Sequence, residues 1–189
     1  MVRPTNTAIG TSRLSRGVRV TPALILRQLR THNFAVLSSV DEEGQPGSAG
    51  VNYGVSARDV DLAIYVMTRR HLQKTRNIQR NPRVALVVPL RRRWFGFLPP
   101  ATIQLTGHAE ILDEDDPAGC AVFRGFWMGR RILTAYTEAK RRGEMRICFL
   151  KITPDPVVRS YLVGYDIWEL RSRMESGAAK VVVSVHATG

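Results

Sequence analysis

Between Ala63 and Arg83 the chain reads Ala-Ile-Tyr-Val-Met-Thr-Arg-Arg-His-Leu-Gln-Lys-Thr-Arg-Asn-Ile-Gln-Arg-Asn-Pro-Arg. An apolar strand ends in Thr68, a basic turn follows, and a short helix begins. Such a junction gathers a hydroxyl, unpaired backbone N–H groups and cationic side chains in one place, which is what a phosphate dianion needs. Thr68 and Lys74 are the sharpest candidates, with Arg69, Arg70 and Gln73 beside them. Lys74 and Arg76 on the wet face of an ordinary helix is the alternative. A second segment, Arg91-Arg92-Arg93-Trp94-Phe95-Gly96-Phe97, places three arginines before three aromatics. It could clamp a planar anion by ion pairing and stacking, anchor to a membrane surface, or pack a dimer.

Other chemistries lack their residues. GxSxG, GxxxxGK[ST] and GxGxxG runs are absent, and His32, His71, His108 and His186 form no HExxH or HxH pair. Cys120 and Cys148 form no CxxC pair and have apolar neighbours, the setting of inert buried thiols. His71 beside the phosphate junction could bond an anion or simply face solvent. No residue stands out as an acid–base catalyst.

Charge sharpens the choice of ligand. The 189 residues carry 28 Lys and Arg against 16 Asp and Glu, a formal net charge of +12. Residues 58–93 hold ten of the cations against Asp59 and Asp61, and residues 1–30 hold six with no acid. The excess admits nucleic acid or a phosphorylated small molecule. No helix-turn-helix or aromatic-interleaved basic sheet accompanies it, which argues against nucleic acid. No apolar run is long enough to span a membrane, and Met1–Val20 has no apolar signal core. A cytoplasmic protein is the expectation.

The elements around the junction follow from local signals. Thr21-Pro22 opens a helix to about Arg30. Strands are predicted over Phe34–Val40 and Gly47–Val55, joined as a hairpin by Asp41-Glu42-Glu43-Gly44. Val60–Thr68 is a third strand, His71–Arg80 a helix stopped by Asn81-Pro82, and Arg83–Leu90 a fourth strand. Ala101–Leu112 is a fifth. A helical region spans Pro117–Arg142 with a break at Gly129. Strands over Glu144–Ile152 and Val157–Val163, a short helix over Ile167–Glu175 and a strand over Val181–Val185 complete the chain. Many short strands with few crossover helices predict an antiparallel barrel with helices outside. The expected organisation is a mobile basic arm, residues 1–20, and one domain, residues 21–189.

The order strand-Thr, basic turn, Lys-x-x-Asn-Ile-x-x-Asn-Pro-Arg-Val, strand resembles the flavin-binding split barrel of the pyridoxamine 5′-phosphate oxidase-like superfamily. The likeness extends to the hairpin Phe34–Val55 and the strand Ile103–Leu112. It implies a mainly β, antiparallel split β-barrel acting as a homodimer, with the cofactor at the interface. It also implies a flavin-dependent oxidoreductase acting on a small molecule. The family's cofactor phosphate maps onto Thr68 and Lys74, with Arg69 and Gln73 adjoining, and Met67 falls where the family places a residue against the cofactor. The flavin ring would lie along the backbone of Gly50, Val51, Asn52 and Tyr53, where Ser48, Ala49 and Gly50 are small. Thr102 and Gln104 of the partner subunit would approach it. FMN needs one phosphate site, whereas the deazaflavin cofactor (coenzyme F-420) adds a glutamate tail that a longer basic track would suit. A non-catalytic flavin- or haem-binding module is the alternative of another class. True pyridoxamine phosphate oxidases carry a C-terminal Arg-x-His-Asp-Arg signature, and Tyr161–Gly189 has nothing like it. The vitamin B6 substrate is therefore not expected, although Trp168 and Arg171 could reach a ligand shared by two subunits.

Overall fold

The computed structural model describes residues 20–56, 62–90, 101–143, 146–164 and 178–183. The N-terminal arm, the Arg91–Phe97 cluster, the Ile167–Glu175 helix with Trp168 and Arg171, and the expected onset at Val60 lie outside them. Helix α1 (Pro22–Thr31) starts as the sequence predicts: Thr21 Oγ1 accepts a hydrogen bond from the Leu24 N–H at 3.2 Å, and Pro22 occupies the first turn. It buries Ile25 and Leu29.

Strands β1 (Phe34–Val40) and β2 (Pro46–Val55) form the hairpin, in register from Phe34 opposite Asn52 to Val40 opposite Pro46. Asp41 Oδ1 closes its turn by accepting from the N–H groups of Glu43 and Gln45, and Gly44 takes a φ of +80° that glycine adopts freely. Strand β3 (Ile64–Arg69), helix α2 (Gln73–Arg80), β4 (Arg83–Leu90), β5 (Ala101–Asp113) and β6 (Ile147–Pro154) follow. The strands pair in the order β4-β1-β2-β3-β6-β5, and β4 also pairs with β5. Six antiparallel strands thus close into a barrel. Alternation drives closure, since each strand presents every second side chain to one interior; β3 and β6 add consecutive buried residues where their outer face is also covered. That interior holds Leu37, Tyr53, Ile64, Leu86, Ile103, Leu150 and Ile152, each almost wholly buried.

The barrel is split along β5. Residues 107–113 of β5 pair with β6, whereas 102–104 pair with β7 (Val157–Tyr161), so a second strand takes the edge that β6 leaves. Strand β8 (Ala178–Val182) adds outside β7. The sequence pattern predicts β7 out to Val163 and β8 over Val181–Val185, of which residues 184–185 lie outside the described ones. Leu162 and Gly164 take positive φ values of 56° and 79° and turn the chain, so β7 stops at Tyr161 and β8 lines up only opposite it.

Helices α3 (Pro117–Arg124) and α4 (Trp127–Arg141) lie on the outer face of β3 and β6 around Tyr65, Phe123 and Phe149. The helical region breaks at Gly125–Phe126, not at the predicted Gly129. Gly129 lies inside α4 because a Cβ there would fall 2.2 Å from the Phe123 carbonyl oxygen and 2.7 Å from the Phe126 ring. Its glycine permits close helix packing.

One ion pair ties the split together. Arg83 donates to both carboxylate oxygens of Asp155, at 3.0 and 2.8 Å, and Thr106 donates to Asp155 as well. The Arg83 hydrogen bonds, then that of Thr106, hold the Asp155 carboxyl below the usual carboxylate range. A depressed acid stabilises the fold above the unfolded value of about pH 4, and this contribution fades as pH falls further. Urea midpoints are therefore expected to drop between pH 5 and pH 3 in the wild type by more than in Asp155→Asn, which starts lower at neutral pH. Parallel pH profiles for the two proteins would contradict this.

Candidate cofactor site

The β3–α2 junction assembles several of the predicted residues. Strand alternation sends Thr68 into the end of the barrel, 3% exposed, opposite Cys148 of β6. Burial pushes the Cys148 thiol up to about 11, so it stays neutral. Lys74 lies near enough to Cys148 for each to perturb the other's titration. The Lys74 side chain is half-buried, and desolvation lowers its ammonium from the ordinary lysine value.

Among the described residues no carboxylate pairs with Lys74. The neighbouring cations are otherwise engaged. Arg69 stacks over the Tyr136 ring at 5.3 Å, Arg70 pairs with Asp113 at 2.5 Å, and Arg80 pairs with Glu42 at 2.9 Å. Arg76 donates to Gln73 Oε1 at 3.0 Å.

Helix α2 begins at Gln73, two residues later than expected, and Leu72 at its cap position supplies no side-chain acceptor. Its first N–H groups thus meet no capping side chain. The helix is anchored instead by the buried side chains of Thr75 and Asn77. Thr75 donates to the Arg69 carbonyl at 2.9 Å, and Asn77 donates to Ser39 Oγ at 3.2 Å while accepting from Gln73 Nε2 at 2.9 Å. Asn77 and Ser39 are buried, and they pin α2 to β1. Sequence reasoning missed both, because the bond joins segments 38 residues apart.

On β2, Gly50 and Asn52 face outward, while Val51 and Tyr53 point into the core. The Tyr53 hydroxyl donates to the Leu29 carbonyl at 2.9 Å. Only the backbone of Val51 and Tyr53 is thus available to a ligand on the outer face. The Phe34 ring, 48% exposed, lies over Gly50, where a Cβ would meet it at 3.1 Å. Phe34 is an exposed aromatic that the sequence reading did not single out, although outward alternation on β1 marks it.

Met67 faces the opposite side from Thr68, toward α3 and α4. Thr102 and Gln104 lie on the outer face of β5, and the register runs Gly50–Val36–Val87–Gln104 across β2, β1, β4 and β5. Three strand spacings, roughly 14 Å along the sheet, separate Gly50 from Gln104 within one chain. One subunit does not bring Thr102 or Gln104 to Gly50.

Residues 22–157 match the family model described as Pyridoxamine 5′-phosphate oxidase. The chain belongs to the pyridoxamine 5′-phosphate oxidase family. Solved structures share the fold of this family member at low identity. The haem storage protein HutZ from Vibrio cholerae superposes with a TM-score of 0.56 at 16% identity, covering 74% of this chain and 94% of that one. A haem-binding protein from Mycobacterium smegmatis gives 0.60 at 19%, covering 87% and 59%. A pyridoxamine 5′-phosphate oxidase-related, FMN-binding protein from Nostoc punctiforme gives 0.53 at 16%, covering 84% and 85%. Among the described residues no helix is long and apolar enough to cross a membrane, and no group of three or more His, Cys, Asp or Glu is placed to hold a metal.

Proposed function

We propose that this family member binds FMN between two copies of the chain and serves as a flavin-dependent oxidoreductase for a small molecule. The observation that carries the reading is Lys74: a half-buried ammonium without a carboxylate partner among the described residues, in the first turn of a helix that no side chain caps. A phosphate there would regain for Lys74 the interactions that burial removed, and would accept from the free N–H groups of α2. The bound flavin would supply hydride and electron transfer; the chain supplies position and field.

The outer sheet face supports the dimer. Val36, Val87, Pro89 and Tyr161 are only half-buried there, and Phe34 is exposed. A second copy packed on this face would cover them and bring Thr102 and Gln104 of the partner subunit toward Gly50. The ion pairs of Arg70, Arg80 and Arg83 weaken the case for the deazaflavin, since they take cations from the track its glutamate tail would use.

A carrier on the same fold is the second reading, favoured by the haem-binding proteins among the structural neighbours. A haem needs an axial ligand. His71, exposed beside the α2 start, is the nearest candidate in sequence. The test is anaerobic reduction of FMN-reconstituted protein by a nicotinamide dinucleotide, followed by a panel of quinone and aldehyde acceptors. Repeated turnover faster than free FMN is expected. Reduction and reoxidation no faster than free FMN, with tight haem binding lost in His71→Ala, would favour the carrier.

A further inference from the structure

Helix α4 is long for what it buries. Of its fifteen residues only Gly129 is fully covered, and its apolar stripe Ile132, Leu133 and Tyr136 is half-buried. Beneath it lies a cavity of about 650 Å³ between α3, α4 and the outer face of β3 and β6. That volume is within the usual range for small-molecule sites. Met67, Cys120, Leu133 and Ile147 give it apolar walls.

Its charged lining is unevenly matched. Glu114 is held by Lys140 at 2.6 Å and Glu138 by Arg141 at 3.5 Å, which leaves Asp115 as the remaining acid. Arg124 and Arg130 line the same cavity, and among the described residues neither has a carboxylate partner. The Arg130 guanidinium donates to the Arg124 backbone carbonyl at 3.1 Å, which holds it against the end of α3.

We propose that this cavity is a binding site for an amphipathic monocarboxylate, a medium-chain alkyl acid. Its tail lies on Met67, Cys120, Leu133 and Ile147 under α4, and its carboxylate is met by Arg124 and Arg130. Guanidinium is the side chain best shaped for a carboxylate, and an alkyl tail would cover Leu133 and Tyr136, the part of the α4 stripe that lines the cavity. The proposal does not rest on the phosphate reading, because neither Lys74 nor the α2 start takes part, and Met67 faces this cavity, on the opposite side from Thr68.

Calorimetric titration of the full-length protein with decanoate, decanol and decylamine tests it. Decanoate is expected to bind saturably, about tenfold more tightly than decanol, with decylamine weakest. Arg124→Gln, which leaves the backbone carbonyl that Arg130 caps, is expected to bring decanoate down to the affinity of decanol. Leu133→Trp fills the cavity and is expected to abolish both. If Leu133→Trp does not fold, the Arg124→Gln comparison still decides. Non-saturable decanoate binding, equal affinities for acid and alcohol, or indifference to Arg124→Gln would overturn the proposal.

Discussion

Lys74→Met is expected to separate stability from binding. In the cofactor-free protein the substitution removes a desolvated ammonium that has no carboxylate to compensate it among the described residues. Met has similar length and keeps the apolar contacts of the stem. Apo-protein should therefore melt higher, by about 1–3 °C, the modest size reflecting a side chain that is only half-buried. Because the folded ammonium titrates below the free value of 10.5, the penalty is present in full at neutral pH. It disappears only as pH rises from the depressed value toward that of the unfolded chain. FMN affinity should move the other way, weakening about 10- to 100-fold through loss of a charge-assisted hydrogen bond to phosphate. Differential scanning calorimetry and flavin fluorescence titration on the same samples check both halves. A lower apo melting temperature with unchanged FMN affinity would mean that Lys74 serves the fold and not the ligand.

Gly107→Ala is expected to be the most damaging single methyl in the barrel. Gly107 sits where β5 is paired on both edges, with Val84 of β4 and Pro154 of β6, next to the point where β6 gives way to β7. An added Cβ would fall 2.4 Å from the Thr153 carbonyl oxygen and 3.0 Å from Pro154 Cα. Both obstacles are backbone, and Pro154 adds a ring of fixed geometry, so no side-chain rotation relieves the clash. A cost of about 3 kcal/mol or more follows, read as a lowered urea midpoint with unchanged slope. A shift below about 1 kcal/mol would show that β6 can move away from β5 at the split.

Local signals made the elements of the site legible. Thr21-Pro22, the Asp41–Gly44 turn and the Asn81-Pro82 stop each act within a few residues, and the structure places α1, the β1–β2 hairpin and the end of α2 accordingly. Barrel closure was legible only as a class. The β4–β5 register is set by matching two alternating strands across a connection, and no local signal encodes it. The helix break was misplaced because a glycine in a sequence looks the same whether it ends a helix or admits a close neighbour; the Phe123 carbonyl and Phe126 ring decide it for Gly129. Charge was the least legible property. Ten cations in one segment suggested a continuous basic track, yet Arg70, Arg80 and Arg83 find their acids at Asp113, Glu42 and Asp155, far away in sequence. What survives of that track at the α2 start is chiefly Lys74.

The central claim is that the α2 start with Lys74 holds the phosphate of a flavin. Titrating apo-protein in parallel with FMN and with riboflavin, which shares the ring and lacks the phosphate, isolates that contact. FMN is expected to bind about 100-fold more tightly than riboflavin to the wild type, and Lys74→Met should cut that preference by about tenfold or more while riboflavin binding stays the same. Equal affinities in the wild type, or a phosphate preference undiminished in Lys74→Met, would contradict it.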